Sequence, residues 1–459
     1  MYLSHRKKRL EKDQDLQEII SKQNNTYEKL EEAYAKLYER MVITESNLNY
    51  YRMIDNIQKE FNYSNLELLM NPVREGTRIL ITGFYGACNL GDELMLQVLI
   101  QCLRELGMDN ITVLLCDNEK YDFFDYPAIQ FIHYPKNKFD FNIIAQQYDV
   151  LIWGGGAMID DACYGTDDVS YLGNMYIELT KRFLAFNKKC ISLALSSNRR
   201  LKNEKYIEDL KYVIENSTYF STRDKYTSEL LREIGIAEDK IHFLDDLVFS
   251  SNKWNRIRQE SYKKKGTKQI IGIVFVCYES TRELLKTTIQ DIAYFYQNVE
   301  RAEYEIRCIP FYAYNDNDYN FYRSVIDEVK EENGEIQISV CPYRKKFEDI
   351  IKELYSLDFV INMRYHAMLL SMMLGKTSLN ICLDNHEHYY NKVRFITELG
   401  RYDDSVIMLS EAINDPEGYK DRIIESIRQK KVPYIDMKTV DSAREKLLTA
   451  LQVTLLEEV

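Results

Sequence analysis

The sequence predicts an α/β protein: two doubly wound, mostly parallel-sheet domains preceded by a long N-terminal helical or coiled-coil segment. Three observations predict it. From Arg78 onward, apolar strand-like runs alternate with amphipathic helical runs. The same alternation begins again after a polar, basic stretch at 250–268. The first 70 residues, by contrast, contain neither glycine nor proline and are rich in Glu, Lys, Gln and Asn. A chain of 459 residues also exceeds what one ordinary core organises, so two units are expected.

Each element follows in order. Ile20, Gln23, Tyr27, Leu30, Tyr34, Leu37, Met41, Thr44, Leu48 and Tyr51 are spaced by alternating threes and fours, a usable coiled-coil seam within 1–70. That periodicity does not name its partner: a homodimer through this helix and packing on the chain's own body both satisfy it. RILITGFYG reads as a strand and DELMLQVLIQCLREL as a helix. ITVLLCD, DVLIWGGG, KCISLALSS and TYFSTRD are the next strands, giving a first Rossmann-like domain over 76–250. SSNKWNRIRQESYKKKGTK has no apolar rhythm and is assigned as a linker. QIIGIVFVC, YEIRCIPFY, IQISVCPY, DFVINMR and TSLNICL then form a second Rossmann-like domain over 266–435. A last helix, within 436–459, either returns to the first domain or stands alone.

Composition narrows the function. The chain is 45% hydrophobic and 29% charged, as in ordinary soluble proteins. Its formal charge of −12 argues against nucleic-acid binding, which needs a broad basic footprint. No run approaches the roughly 18 apolar residues of a membrane span. MYLSHRKKRLEKDQD turns polar where a signal peptide needs its apolar stretch. The nine cysteines show no C-x-x-C and no regular spacing, as expected for reduced thiols. A cytoplasmic protein, free or peripheral at the inner face of a membrane, is the expectation.

The unusual residues fall at predicted strand ends, where ligands bind in open α/β sheets. GFYGACNLGDE follows the first strand: Gly83, Gly86 and Gly91 permit a tight turn, while Asn89 and Asp92 either cap the next helix or meet a ligand. Its spacing is not the dinucleotide fingerprint. GGGAMIDD brings Gly155 and Gly156 to the next strand end, with Asp160 and Asp161 as helix caps or as groups that orient a hydroxyl. STRDKYTSELLREIG places Arg223 at a strand end, as a salt-bridge partner or as a grip for a carboxylate or phosphate. In FVINMRYHAMLLSMMLG, Arg364 ends a buried strand and His366 opens a helix. A guanidinium beside an apolar core requires an anion. An imidazole two residues on is either structural or a proton donor, since imidazoles titrate near neutrality. DNHEH has too few ligands for zinc, and NDND (315–318) reads as a solvated turn rather than a metal motif, so no metal is expected.

Together these stretches resemble the polysaccharide pyruvyl transferase family. GFYGACNLGDE, with Asn89, Gly91, Asp92 and Glu93, is similar to its opening motif. LIWGGGAMIDD resembles its glycine motif, STRDKYTSELLREIG its arginine motif and MRYHAM its R-x-H-A signature; YYNKV resembles the Y-x-x-K segment that follows. The resemblance runs from about residue 78 to 410. Two stretches depart from it. Asp246 of LDDLVF stands where members usually have proline, and Ser196-Ser197-Asn198 where many have glycine and proline.

The resemblance implies a GT-B-like pair of domains, no required metal or cofactor, and phosphoenolpyruvate as co-substrate. The reaction implied is transfer of a carboxyethylidene ketal onto two hydroxyls of a glycan acceptor, free or lipid-linked. Arg223 and Arg364, with Lys392, would clamp the donor's carboxylate and phosphate. His366 would protonate its methylene, and Asp92 or Asp160 would orient or deprotonate the acceptor hydroxyl. Asn89, Gly86, Gly155 and Gly156 would supply the substrate-binding loops. A nucleotide-sugar glycosyltransferase on the same architecture, with Arg364 on a diphosphate, is the alternative. A non-catalytic assembly protein is a third, opposed by the intact Arg-x-His pair and glycine loops.

Overall fold

A computed structural model describes Lys29 and residues 76–456, other than 117–128, 135–137, 163, 166–171, 198, 255–266, 314–316, 345, 384–386, 434 and 436. The seam expected within 1–70 therefore lies, Lys29 apart, outside the described residues, as do Asn198 and His386.

The first domain has seven strands: β1 (Ile79–Thr82), β2 (Ile111–Leu115), β3 (Gln130–His133), β4 (Val150–Ile159), β5 (Lys189–Ser197), β6 (Tyr219–Thr222) and β7 (His242–Phe243). Between them run α1 (Leu90–Glu105), α2 (Lys138–Gln147), α3 (Leu172–Ala185), α4 (Glu204–Asn216) and α5 (Lys225–Glu233). The second domain has β8 (Gln269–Val274), β9 (Tyr304–Cys308), β10 (Ile338–Val340), β11 (Phe359–Asn362), β12 (Ser378–Cys382) and β13 (Val406–Met408). Its helices are α6 (Arg282–Tyr294), α7 (Asp318–Glu332), α8 (Phe347–Tyr355), α9 (Tyr365–Met373), α10 (Glu387–Leu399), α11 (Leu409–Asn414) and α12 (Pro416–Gln429), followed by α13 (Met437–Leu456).

Both sheets are wholly parallel, ordered β3-β2-β1-β4-β5-β6-β7 and β10-β9-β8-β11-β12-β13. Each reverses direction once, between β1 and β4 and between β8 and β11, the crevices at which doubly wound folds bind ligands. The two parallel α/β domains of the sequence reading are thus present. Three strands escape that reading: β3, β7 and β13. All three are short and partly exposed, and β3 and β7 lie on the outer side of the first sheet, β13 at the edge of the second. They lack the continuous apolar run of β1 and β2, which are buried throughout.

The glycine run is also placed differently. The sequence reading puts the glycines at the end of a strand, whereas β4 continues through them to Ile159, with a register break between Gly156 and Ile159. Packing accounts for Gly154, since a Cβ there would lie 2.1 Å from the Tyr85 hydroxyl. That hydroxyl donates to the Gly154 carbonyl at 2.5 Å.

The domains share one core. In α9 every residue after Tyr365 is buried, as expected of a helix apolar on all sides, and it packs against α1 of the first domain. Backbone bonds join the domains nearby: the Leu90 N–H donates to the Phe311 carbonyl at 2.9 Å, and the Ala313 N–H to the Cys88 carbonyl at 3.1 Å. Trp254, inside the expected linker, is fully buried with its ring 5.3 Å from that of Phe347, so the connection begins as core rather than tether. α13 crosses back to the first domain. Val440, Ala443, Leu447 and Leu451 enter the shared core, and Arg444 pairs with Glu105 and donates to the Ser250 carbonyl at 2.6 Å.

Candidate active site

The carboxyl ends of both sheets face one another. A cleft of about 350 Å³ opens there, lined by Asn89, Arg199, Tyr278, Arg364, Tyr365 and His366, among others. Asn89 precedes α1 and bridges to Tyr312 of the second domain.

His366 crosses the interface. Its ring lies against Gly91 so closely that a Cβ at 91 would fall 1.9 Å from Nδ1; only glycine fits. Its Nε2 faces Asp246 Oδ2 at 3.5 Å, too long for a formed hydrogen bond. The Asp246 side chain is 2% exposed, and its Oδ2 is held by Arg223 Nη1 at 2.6 Å. Burial alone would raise the Asp246 pKa. Arg223, and then His366, more than offset this and hold the carboxyl well below its usual range.

Arg223 leaves the end of β6 and is almost wholly buried. Besides Asp246 it donates to Ser196 Oγ at 3.1 Å, and its guanidinium stacks 4.7 Å from the centre of the Tyr365 ring. Ser196, in one of the two departures from the family pattern, thus anchors the arginine. Asp224, the next residue, caps α5 by accepting from the Thr227 N–H at 2.7 Å.

Asp92 sits in the first turn of α1, where the helix end favours negative charge. Burial pushes its pKa up to about 6, against the opposing pull of His366 and Arg223. Gly156, left-handed at φ 95°, makes room for it: a Cβ there would lie 3.1 Å from Asp92 Oδ1. Burial likewise pushes Glu93 up to about 8, while its Oε1 accepts the Gly86 N–H at 2.8 Å. Gly86 therefore shapes the loop, and a Cβ at Gly155 would meet Met95 and Leu247; neither glycine is among the residues that line the cleft.

Asp160 pairs with Arg199 Nε at 3.0 Å and accepts the Ala162 N–H at 2.8 Å. α10 packs against α5 across the interface and carries Lys392 into the field of Arg223, Asp224, Asp160 and Asp92. Burial, and then Arg223, lower the Lys392 pKa to about 7.

Arg364 lines the cleft with its side chain 17% exposed, and its guanidinium pairs with Asp318. The anion the sequence demands is thus supplied from within. Asp318 belongs to the run read as a solvated turn; it is instead buried, and its Oδ2 accepts the Phe311 and Tyr312 N–H groups at 3.0 and 2.9 Å. Sequence reasoning also passes over Asp246, Ser196 and Tyr365. Only the departures from the family pattern at 196 and 246 signal the first two.

The structure therefore gathers Asp92, Arg223, His366 and Lys392 into one charged cluster, with Asp160 beside it and Arg364 and Asn89 on the same cleft. Buried donors remain unspent there: Arg223 Nε, Arg364 Nε and His366 Nε2 have no hydrogen-bond partner. Among the described residues, no group of three or more His, Cys, Asp or Glu is placed to hold a metal ion. Nor is any helix among them long and apolar enough to cross a membrane.

The chain resembles UDP-GlcNAc 2-epimerase from Methanocaldococcus jannaschii at 12% identity, covering 81% of this chain and 99% of that one with a TM-score of 0.50. A putative UDP-N-acetylglucosamine 2-epimerase from Listeria monocytogenes gives 12% identity, 84% and 98% coverage and a TM-score of 0.49. HepE from Anabaena, in complex with UDP and glucose, gives 8% identity, 82% and 100% coverage and a TM-score of 0.46. The first likeness speaks to the fold alone, that of two Rossmann-like domains in a GT-B-like pair. None of the curated protein sequences matches significantly. The family described as polysaccharide pyruvyl transferase matches residues 89–386, a span from Asn89 through the Arg-x-His pair. On that match, the chain belongs to the polysaccharide pyruvyl transferase family.

Proposed function

We propose that this transferase moves the carboxyethylidene group of phosphoenolpyruvate onto two hydroxyls of one sugar in a cell-surface glycan or its lipid-linked precursor. The observation that supports it best is that Arg364 and His366 line one interdomain cleft, with the buried Arg223 stacked on Tyr365 of its wall and donor groups of all three still without partners. The donor carries a carboxylate and a phosphate. Planar guanidinium forks suit both, and two buried arginines fix orientation as well as charge.

In this reading His366 gives a proton to the donor's methylene carbon, forming a C–H bond and leaving a cation at the adjacent carbon. An acceptor hydroxyl attacks that carbon and yields its proton to Asp92 or Asp160. Asp92, with its pKa raised to about 6, can hold a proton near neutrality, which favours it for this step. Phosphate then leaves with its C–O bond electrons, and the second hydroxyl closes the ketal as its O–H bond breaks, its proton returning to the neutral imidazole of His366. Lys392 would neutralise charge on the departing phosphate. Holding donor and hydroxyl together between two lobes supplies positioning, the largest contribution available without covalent catalysis.

The test is thermal stabilisation by phosphoenolpyruvate against a panel of nucleotide sugars, followed by mass spectrometry of a glycan pool incubated with the donor. Stabilisation by phosphoenolpyruvate and a ketal-bearing glycan are expected. Stabilisation by a nucleotide sugar alone would replace this reading with glycosyl transfer.

A further inference from the structure

We infer that Asp246 is a positioning residue for His366, fixing which ring nitrogen carries the working proton. The inference rests on the pyruvyl-transfer reading and adds to it a residue at which the chain departs from the family pattern.

The two nitrogens of His366 have different surroundings. Nε2 is buried, lacks a hydrogen-bond partner, and faces the Asp246 carboxylate at 3.5 Å. The ring lines the cleft, and Nδ1, on the side of Gly91, is the nitrogen not turned to Asp246. The carboxylate is rigid. Its Oδ1 accepts the Val248 N–H at 3.0 Å, capping the short helix that follows, and its Oδ2 is gripped by Arg223 at 2.6 Å. Tyr365 completes the frame, edge-on to the imidazole at 5.1 Å and stacked on Arg223.

Asp246 and Arg223 belong to the first domain and His366 to the second. A closing movement of about 0.5 Å brings Nε2 within hydrogen-bond distance of Oδ2, and hydrogen bonds of catalytic groups commonly tighten when substrate binds. The acid is the imidazolium, formed when the neutral ring takes a proton from solvent on Nδ1 as the doubly anionic donor binds; with Nε2–H donating to Asp246, Nδ1–H is then the bond that breaks when the donor's methylene takes that proton. The enol π electrons form the new C–H bond, and the imidazole is left neutral with its Nε2 proton still on Asp246. Asp246 thereby couples two roles, since the oxygen that orients the acid also anchors the donor clamp.

Two measurements test this on the full chain. The first uses ¹⁵N-labelled histidine NMR of the ligand-free protein, with His366 assigned by the signals lost in His366→Ala. The neutral Nε2–H tautomer is expected to dominate and to give way to a mixture in Asp246→Asn; an unchanged tautomer overturns the inference. The second follows phosphate release from phosphoenolpyruvate with a glycan pool. Asp246→Asn is expected to lower kcat by about 100-fold, within the range of general-acid contributions. The donor KM should move less than threefold, because Ser196 still holds Arg223. In the His366→Ala background the same substitution should cost nothing further, and a multiplicative loss there overturns the inference. Should Asp246→Asn fail to fold, Asp246→Glu keeps the charge and is expected to retain the tautomer and part of the turnover; loss of the tautomer in that folded variant counts against Asp246. If the wild-type protein releases no phosphate, the pyruvyl-transfer reading fails while the NMR result still decides the role of Asp246.

Discussion

The His366 ring from the second domain occupies the space that a side chain at Gly91, in the first, would fill: a Cβ there would stand 1.9 Å from Nδ1. A residue at the mouth of one sheet therefore sets the position of a proton donor from the other. The site exists only when the two domains are docked.

Gly91→Ala is the direct test. In an isolated helix the substitution would help, since Gly is about 1 kcal/mol worse than Ala. Here overpacking against the imidazole should outweigh that gain and cost roughly 1–3 kcal/mol. Turnover should fall with it. Denaturant melts of Gly91→Ala and of Gly91→Ala with His366→Ala discriminate: the stability loss should vanish in the double variant. A loss that persists would mean the clash lies elsewhere.

Lys392 should make donor binding proton-linked. Burial and Arg223 hold its folded pKa near 7, below the ordinary 10.5. Between those values the unfolded chain binds more protons, so this group destabilises the fold fully below about pH 7 and is relieved as pH rises toward 10.5. A doubly anionic donor should draw the ammonium form back. Calorimetry in two buffers of different ionisation enthalpy should show uptake of up to about one proton at pH 8 and less at pH 6. Lys392→Met should abolish that uptake.

Much of this was legible in the sequence, and the reasons differ by residue. Strands such as FVIN and ILIT are buried on both faces and announce themselves as apolar runs. Arg223, Arg364 and His366 stand out because charge at the end of such a run is costly. What stayed hidden is pairing. Asp318 follows Asn317 in a polar stretch, and nothing local distinguishes a carboxylate that folds inward onto Arg364 from one that faces water. Asp246 meets His366 across 120 positions of chain, a relation only the docking of two domains creates. The glycines were legible as special but not as to purpose: Gly154 serves Tyr85, Gly156 serves Asp92, and Gly91 serves His366.

Asp318 should behave as an internal stand-in for the donor's charge. Its carboxylate is buried and engages Arg364 along with two backbone N–H groups. Removing one partner of such a pair typically costs about 3–5 kcal/mol, because the other is left uncompensated. Asp318→Asn retains an acceptor for the N–H groups and should lose roughly 3 kcal/mol. Phosphoenolpyruvate should then raise Tm more in this variant than in the wild type, the ligand replacing the missing anion. Arg364→Lys should weaken donor affinity at least about tenfold, since a point charge cannot reproduce the planar fork. Equal Tm shifts, or an unaltered affinity, would remove Arg364 from the donor site.

Glu93 predicts a pH dependence that owes nothing to catalysis. Burial raises its folded pKa to about 8 from 4.5, although the Gly86 N–H pulls the other way. Between those values the folded protein holds a proton that the unfolded chain releases, so its contribution to stability is complete below pH 4.5 and is lost as pH climbs through about 8. Glu93→Gln mimics the protonated carboxyl, retains an acceptor for Gly86 and cannot ionise. Unfolding free energies from denaturant melts at about pH 5 to 9 should therefore decline for the wild type relative to Glu93→Gln, by an amount on the order of a few kcal/mol across the range. The two proteins should be nearly equal at the acid end. Parallel profiles would mean that Glu93 is ionised in the fold despite its burial, and that a cation reaches the loop at the mouth of the first sheet.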